Sequence, residues 1–215
     1  MKIFSLLLMP LIFNICASAE RTKEVNTPST IKIEHTADQT KGPRENAYFA
    51  SGCFWCVEAI FEHVKGVKEV VSGYSGGNKE NPTYRQVANG GTGHAEVVEV
   101  QYNPEEVDFK TLVKVFYGSQ NPTTVGQYPD FGDAYRSVIF YTNDTEKQIA
   151  DAYKEEIQKK YTDKVVTEII PFKKFWRAEE YHQDYERKNP NQRYIVGVSK
   201  PRLEKFKAKF PELIR

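Results

Sequence analysis

The sequence predicts a two-layer α+β domain in which helices pack on a mixed β-sheet. Short β-prone runs alternate with segments that have helical spacing, and in one place two β-prone runs follow each other without a helix between them. Strands that are adjacent in sequence, combined with interleaved helices, are typical of α+β folds. The 215 residues are 40% hydrophobic, which is enough for one core, and no internal repeat indicates a second domain.

The first half of the domain has the order strand, helix, strand, strand. The run at 47–51 is β-prone. The helix predicted at 53–63 has apolar residues at i, i+3, i+4 and i+7, namely Val57, Ile60, Phe61 and Val64. A strand at 67–77 runs into a glycine-rich loop, a polar loop follows at 78–93, and alternation predicts the next strand at 94–102.

The second half of the domain alternates helices with strands. Asp108 can cap a helix over 109–118, because an aspartate side chain accepts hydrogen bonds from the free N–H groups at a helix start. Further helices are predicted from Asp144 or Thr145 to Tyr161, at 178–188 and in the tail, and strands at 137–143 and 164–170. The whole pattern predicts an α/β sandwich with a ferredoxin-like core and additions.

The first 19 residues differ in kind from the rest and predict a secretory signal peptide. Lys2 precedes a short apolar run, and an A-x-A pattern ends at Ala19, the expected cleavage site. A membrane anchor is one alternative, but the run is shorter than the roughly 20 residues that a spanning helix needs. A lipid anchor on Cys16 is the other. We therefore expect export to the periplasm or the cell exterior.

Composition limits what the rest of the chain can do. Residues 20–44 contain few large apolar side chains and predict a flexible linker before the domain at 45–215. Cleavage after Ala19 would leave 29 basic and 29 acidic residues, and this balance gives no electrostatic footprint for nucleic acid or an anionic membrane. Cleavage would also leave Cys53 and Cys56 as the only cysteines, so that an intramolecular disulfide could join only these two.

The stretch SGCFWCVE places two of the three cysteines within one helical turn. If a strand ends at Ser51, Cys53 lies at a helix N-terminus, where free N–H groups and the helix dipole lower a thiol pKa. Such a thiol is a nucleophile at neutral pH. Cys56 lies one turn further on, close enough for a disulfide with modest adjustment. A zinc site would need four ligands, and no second Cys/His pair follows at a suitable spacing.

Three interpretations of the cysteine pair remain open from the residues alone. The pair could staple a helix in a non-catalytic binding domain, or exchange with protein disulfides as thioredoxin does. It could also attack a small substrate that carries an apolar group such as a methyl. A general exchanger gains little from bulky neighbours, so Phe54 and Trp55 favour the last interpretation.

Several blocks of the sequence resemble peptide methionine sulfoxide reductases of the A type. The blocks are GCFWCVEAIFEHVKGVKEVVSGYSGG, NPTY, GGTGHAEVVEVQY, DAYRSVIFY and AEEYHQDY, and they follow the family's order from about Tyr48 to the C-terminus. The combination of G-C-F-W with a downstream G-H-A-E is highly specific. The resemblance implies an enzyme that reduces the S epimer of methionine sulfoxide, free or within proteins, to methionine.

The resemblance also implies roles for individual residues. It makes Cys53 the nucleophile that attacks the sulfoxide sulfur, and Glu96 the acid that protonates the sulfoxide oxygen. The other implied roles are a cage for the substrate methyl group from Phe54 and Trp55, hydrogen bonds to the oxygen from Tyr84 and Tyr135, and binding of the substrate backbone nitrogen by Asp130.

The sequence itself also supports a special setting for Glu96. Strand alternation places it on the same face as His94, Val98, Val100 and Tyr102. Apolar neighbours desolvate a carboxyl group and raise its pKa, which keeps a proton available for a poor leaving group such as a sulfoxide oxygen. We interpret His94 and His182 as scaffold residues and His63 as a solvent contact.

The same resemblance bears on how the enzyme is regenerated. Attack leaves a sulfenic acid on Cys53, which a nearby thiol converts to a disulfide. Many relatives use cysteines in a C-terminal tail, whereas this tail has none and Cys56 stands where many relatives have glycine. We therefore expect Cys56 to resolve the sulfenic acid and a thioredoxin-like dithiol protein to supply electrons. We expect no metal or organic cofactor, and a monomer.

Overall fold

The structure is a computed structural model that describes residues 42–215. The predicted signal peptide at 1–19, with Cys16, and the linker up to residue 41 lie outside the described residues. Within the described part of the chain, no helix is long and apolar enough to cross a membrane.

Eight strands and six α-helices make up the described part of the chain. The strands are β1 (Glu45–Ala50), β2 (Val67–Ser75), β3 (Ala95–Tyr102), β4 (Gly126–Gln127), β5 (Asp130–Phe131), β6 (Val138–Tyr141), β7 (Glu168–Pro171) and β8 (Trp176–Arg177). The helices are α1 (Phe54–Glu62), α2 (Tyr84–Ala88), α3 (Phe109–Gly118), α4 (Asp144–Gln158), α5 (Tyr185–Lys188) and α6 (Lys200–Lys209).

Six of the strands form one mixed sheet in the order β7-β6-β1-β3-β2-β8. From β6 to β8 each strand is antiparallel to the next in the sheet, and β7 joins the edge parallel to β6. The chain order β1-α1-β2-β3-α3-β6 with this strand order is the ferredoxin-like arrangement, and β7 and β8 are additions at the two edges. The predicted fold class is therefore confirmed.

The two faces of the sheet carry two separate apolar clusters. Alternation along β1 points Phe49 to one face and Tyr48 to the other. On the first face, side chains from α1, α3 and α6 cover the sheet, and Phe49 stacks on Phe61 with ring centroids 5.1 Å apart. On the second face, Tyr48 stacks on Phe172 at 3.8 Å. The main helical layer therefore lies on the first face, where α1 is held against the sheet.

One predicted helix is not continuous. Residues 178–188 form a 3₁₀ turn (Glu180–His182) and the short α5, and Asp184 between them has a left-handed φ of 55°. The Gln183 side chain accepts a hydrogen bond from the Ser72 N–H (3.0 Å) and donates one to the Ser72 carbonyl (2.9 Å). These bonds to β2 fix the segment on the sheet, so tertiary contacts override the helical spacing.

Smaller differences from the prediction concern the ends of elements. The stretch predicted as a loop at 78–93 contains α2. The cap of α4 is Asn143, whose side chain accepts from the Glu146 N–H at 2.9 Å. The strand predicted at 164–170 begins only at Glu168.

Asp108 caps α3 as predicted, because its Oδ1 accepts from the Thr111 N–H at 2.7 Å. The substitution Asp108→Ala removes this acceptor and is expected to lower the free energy of unfolding by about 1 kcal/mol. Asp108→Asn keeps an oxygen at the same place and serves as the matched control, with an expected loss below about 0.5 kcal/mol. Urea unfolding measures both, and equal losses would contradict the capping role.

Candidate active site

Cys53 lies between β1 and α1, directly after a turn that favours glycine. Gly52 has a φ of +85°, and a Cβ on it would lie 3.1 Å from the Gln127 side chain. The Gly52 N–H donates to the Tyr135 carbonyl at 3.0 Å. The turn therefore brings Cys53 to the start of α1 and holds the backbone of Tyr135 beside it.

Glu96 reaches the same helix start from the beginning of β3. It is 2% exposed, and its Oε2 accepts a hydrogen bond from the Phe54 N–H at 2.9 Å. Burial raises the pKa of Glu96 to about 8, against the opposing effect of that hydrogen bond. The carboxyl group is therefore largely protonated at neutral pH. Since Oε2 is occupied as an acceptor, the other oxygen is the one placed to carry the proton.

The pKa values of the two thiols differ from the sequence-based expectation, which placed a lowered pKa on Cys53. Burial raises the pKa of the Cys53 thiol well above its ordinary value, and Cys56 and Glu96 add to the rise. The expected lowering was wrong, because burial penalises the Cys53 thiolate more than the helix start stabilises it. The pKa of Cys56 falls to about 6, first through its hydrogen bond with Cys53 and then, against the effect of burial, through the Arg202 guanidinium. Cys56 therefore has the lower pKa of the two thiols.

The aromatic residues between the cysteines are fixed by packing. Phe54 is 1% exposed and packs against the rings of Tyr84 and His182, with centroids 6.4 and 4.9 Å away. The Trp55 indole N–H donates to His182 Nδ1 at 3.1 Å, and the indole stacks on Tyr185 at 3.7 Å. Burial lowers the pKa of His182, which favours the neutral ring that this hydrogen bond requires. Both rings beside Cys53 therefore have a single orientation.

Tyr84 and Tyr135 also lie near the Cys53 thiol, close enough for its charge to affect their pKa values. Burial, with Glu96 and Cys53 adding to it, raises the pKa of Tyr84 to about 12. Burial raises the pKa of Tyr135 as well. Both side chains therefore remain hydroxyl donors at neutral pH. The Tyr84 backbone is held in place, because its N–H donates to Glu179 Oε1 at 2.9 Å.

Asp130 closes the site from the hairpin of β4 and β5. Its Oδ2 accepts from the Tyr194 hydroxyl, which also lies 3.6 Å from the Cys56 sulfur. Burial raises the pKa of Asp130, while Tyr194 and Arg202 oppose the rise. Asp130 also raises the pKa of Glu96. All of the sequence-predicted site residues thus come together around one helix start.

Several residues of the site were missed by the sequence analysis. Tyr194 and Arg202 contact the site from the tail, Tyr185 stacks on Trp55, and Glu179 binds the Tyr84 N–H. Glu179 and Tyr185 stand in the block AEEYHQDY, but its spacing indicates no role for them, and Tyr194 and Arg202 stand in none of the quoted blocks. They lie at least 64 residues from the groups that they touch, so that only the fold brings them to the site.

The remaining histidines outside residues 1–41 are structural. His94 Nδ1 accepts from the Gly77 N–H at 3.1 Å, and its Nε2 bonds to the Lys79 carbonyl at 2.7 Å. His63 is half-buried, and its Nδ1 bonds to the Ala59 carbonyl at 2.7 Å. Within residues 42–215, no group of three or more His, Cys, Asp or Glu side chains could hold a metal ion.

Comparison with known proteins gives one consistent result. The family model for peptide methionine sulfoxide reductase matches residues 45–213. The chain belongs to this family. The peptide methionine sulfoxide reductase MsrA 1 of Rhodopirellula baltica is 46% identical over 178 residues, which cover 82% of this chain and 93% of the relative. The MsrA of Polynucleobacter asymbioticus is 44% identical over 185 residues, or 85% of this chain and 97% of the relative.

Solved structures of family members share the fold. The methionine sulfoxide reductase A of Corynebacterium diphtheriae has a TM-score of 0.64 and 33% identity, and the match covers 70% of this chain and 77% of that one. Mxr1 of Saccharomyces cerevisiae in its reduced form has the same TM-score and identity, and the match covers 70% of this chain and 90% of that one. As a member of the peptide methionine sulfoxide reductase family, the chain is an oxidoreductase that reduces methionine sulfoxide.

The raised pKa of Glu96 predicts a pH-dependent cost in stability. Between the ordinary pKa of 4.5 and about 8, the folded chain holds a proton that the unfolded chain has released. Stability therefore falls as pH rises through this window. Glu96→Gln removes this effect. The difference in unfolding free energy between the variant and the native chain should therefore shift in favour of the variant by on the order of 2–4 kcal/mol from pH 5 to pH 8.

Urea unfolding of both proteins at the two pH values measures this gain. Glu99→Gln, on the same strand but half-buried, is the matched control for loss of a carboxylate. Parallel stability curves for the native chain and Glu96→Gln would contradict the raised pKa.

Proposed function

We propose that this enzyme reduces the S epimer of methionine sulfoxide, free or in oxidised proteins, with Cys53 as nucleophile and Cys56 as resolving thiol. One observation carries the assignment. The Phe54 N–H, next to Cys53, bonds to Glu96 Oε2 at 2.9 Å, so that a sulfur and a protonated carboxyl group share one helix start. A sulfoxide needs both groups, because its sulfur must be attacked while its oxygen is protonated.

In the first step, Cys53 attacks the sulfoxide sulfur as a thiolate. The Cys56 thiolate beside it can take the Cys53 proton, which offsets the raised pKa of the nucleophile. Glu96 gives its proton to the sulfoxide oxygen, and the Tyr84 and Tyr135 hydroxyl groups donate hydrogen bonds to it. The attack forms a bond between the Cys53 sulfur and the substrate sulfur. This S–S bond and the sulfoxide S–O bond then break as the oxygen passes to the Cys53 sulfur, which becomes a sulfenic acid oxidised by two electrons, and methionine leaves with its sulfur reduced by two electrons.

The walls of the site fit the rest of the substrate. Phe54 and Trp55 present fixed apolar surfaces to the substrate methyl group. Asp130 can accept a hydrogen bond from the substrate backbone N–H. Its present bond from the Tyr194 hydroxyl would then weaken.

In the second step, Cys56 forms a disulfide with Cys53 and water leaves. Both thiols are free in the structure, as the reduced enzyme requires. A thioredoxin-like dithiol protein then reduces the disulfide by exchange.

The N-terminal sequence adds a location to the proposal. A signal peptide at 1–19 and a linker at 20–44 would place the domain outside the cytoplasm, or a lipid on Cys16 would anchor it there. Oxidising compartments keep thiols as disulfides. The enzyme would then depend on a dedicated reductant that crosses or spans the membrane.

Cys56→Ser separates the two steps. The variant should release about one methionine per chain from the S epimer without added reductant, because Cys53 and Glu96 remain. With a thioredoxin-type donor, its multiple turnover should fall at least about 100-fold, because no intramolecular disulfide forms. Methionine release by residues 20–215 measures both quantities.

The native chain is the control for this experiment. With dithiothreitol it should release methionine from the S epimer and not from the R epimer, and no release would contradict the proposed function itself. Full multiple turnover of Cys56→Ser with the protein donor would contradict only the resolving role.

Glu96→Gln tests the proton donor. A glutamine cannot give a carboxyl proton, so the single-turnover rate near pH 7 should fall by about 100-fold or more, with a much smaller change in substrate affinity. In the native chain the same rate should decline as pH rises through about 8, where Glu96 loses its proton. Rapid-quench kinetics measures both rates, and an unchanged rate in Glu96→Gln would exclude this role.

A further inference from the structure

The Trp55 indole is held by two residues of one short segment, residues 182–185. His182 Nδ1 accepts the hydrogen bond from the indole N–H at 3.1 Å. The Tyr185 ring stacks on the indole, with ring centroids 3.7 Å apart and an interplanar angle of 6°. His182 is 1% exposed, so its ring is itself fixed by packing. The orientation of Trp55 therefore depends on where the backbone of this segment lies.

Glu58 holds the backbone of the same segment from α1. It comes three residues after Trp55, on the same side of the helix, and its Oε1 accepts the Asp184 N–H at 3.0 Å. Asp184 has a left-handed φ of 55°, a conformation that a residue with a side chain keeps only where neighbouring groups hold it. The hydrogen bond to Glu58 thus lies where the chain turns between His182 and Tyr185.

Stability alone does not account for the burial of Glu58. The residue is 2% exposed, and its second oxygen, Oε2, lacks a hydrogen-bond partner of good geometry within residues 42–215. A buried carboxyl oxygen without a partner is costly, and an apolar side chain of similar size would avoid this cost. Burial also raises the pKa of Glu58 to about 8, so the group is largely neutral at pH 7. What an apolar side chain could not supply is the acceptor for Asp184.

We propose that Glu58 is a positioning residue for the methyl-binding wall, holding residues 182–185 where they fix the Trp55 indole, and that it thereby makes the enzyme selective for a sulfur that carries a methyl group. This inference rests on the proposed function, in which the indole faces the substrate methyl group. A fixed wall accepts a methyl group and resists a larger one, whereas an indole that can tilt leaves room for another carbon. Glu96 bonds to the Phe54 N–H, so the proton donor stays in place when the indole moves.

Glu58→Met and Glu58→Gln test the inference with two substrates, the S epimers of methionine sulfoxide and ethionine sulfoxide. The substrates differ by one CH₂ on the group that faces the indole. Glu58→Met loses the acceptor, so the ratio of kcat/KM for the methyl over the ethyl substrate should fall about fivefold from its native value. Glu58→Gln keeps an oxygen that can accept the Asp184 N–H and should retain the native ratio. Release of methionine and ethionine with dithiothreitol as reductant measures both values of kcat/KM.

Glu62→Met is the matched control, because it removes a half-buried carboxyl group one turn further along α1. It should keep the native ratio, and a fall as large as that in Glu58→Met would overturn the inference. Tyr185→Leu tests the same link at a half-buried position near the surface and should lower the ratio as Glu58→Met does. An unchanged ratio in either of these two variants would overturn the inference. Equal losses in Glu58→Met and Glu58→Gln would also overturn it, since the acceptor would then not matter.

A second measurement does not depend on turnover. In a Trp176→Phe background Trp55 is the only tryptophan, and quenching of its fluorescence by acrylamide reports how far the indole is exposed. Quenching should rise about twofold in Glu58→Met and stay at the native level in Glu58→Gln and Glu62→Met. If the native chain releases no methionine, the proposed function fails, whereas unchanged Trp55 quenching in Glu58→Met contradicts the inference about Glu58 alone.

Discussion

The hydrogen bond from the Phe54 N–H to Glu96 Oε2 is the contact on which the rest of the site depends. It joins the start of α1 to the beginning of β3, and so fixes Cys53 relative to the proton donor. It also uses the first free N–H of the helix, which would otherwise stabilise a Cys53 thiolate. The same bond therefore places the acid and removes a source of activation from the nucleophile.

The two thiols of the site differ in pKa. Of the two, Cys56 has the lower pKa, first through its hydrogen bond with Cys53 and then, against the effect of burial, through Arg202. Keeping Glu96 buried and protonated costs stability, since the unfolded chain would release this proton at neutral pH. Glu58 on α1 is also buried, and burial raises its pKa to about 8. Helix α1 thus carries one buried carboxyl group and contacts a second on β3, a cost that a purely structural helix would not need.

Local sequence patterns predicted the core of the fold and the buried setting of Glu96 in the site. The apolar spacing around Ile60 and the alternation around Glu96 reflect burial that neighbouring residues impose, and burial leaves a period in the sequence. The pKa order of the thiols could not be predicted, because it depends on burial by the whole fold and on groups that the tail brings to Cys56. The interruption of a predicted helix at Gln183 and the position of Arg202 at the site could not be predicted for a similar reason. Each side chain contacts a distant strand or helix end, and such contacts leave no periodic pattern in the sequence.

Burial of the two sulfurs also decides which disulfide chemistry the site can serve. Cys53 is 7% exposed and Cys56 is 1% exposed, so an incoming thiolate reaches Cys53 first. Attack on Cys53 expels Cys56 as the leaving group, and a leaving thiol of low pKa departs faster. The pKa of about 6 at Cys56 thus suits both closing the disulfide and releasing it. The rings of Phe54 and Trp55 give Cys53 an apolar wall, which fits the side chain of methionine.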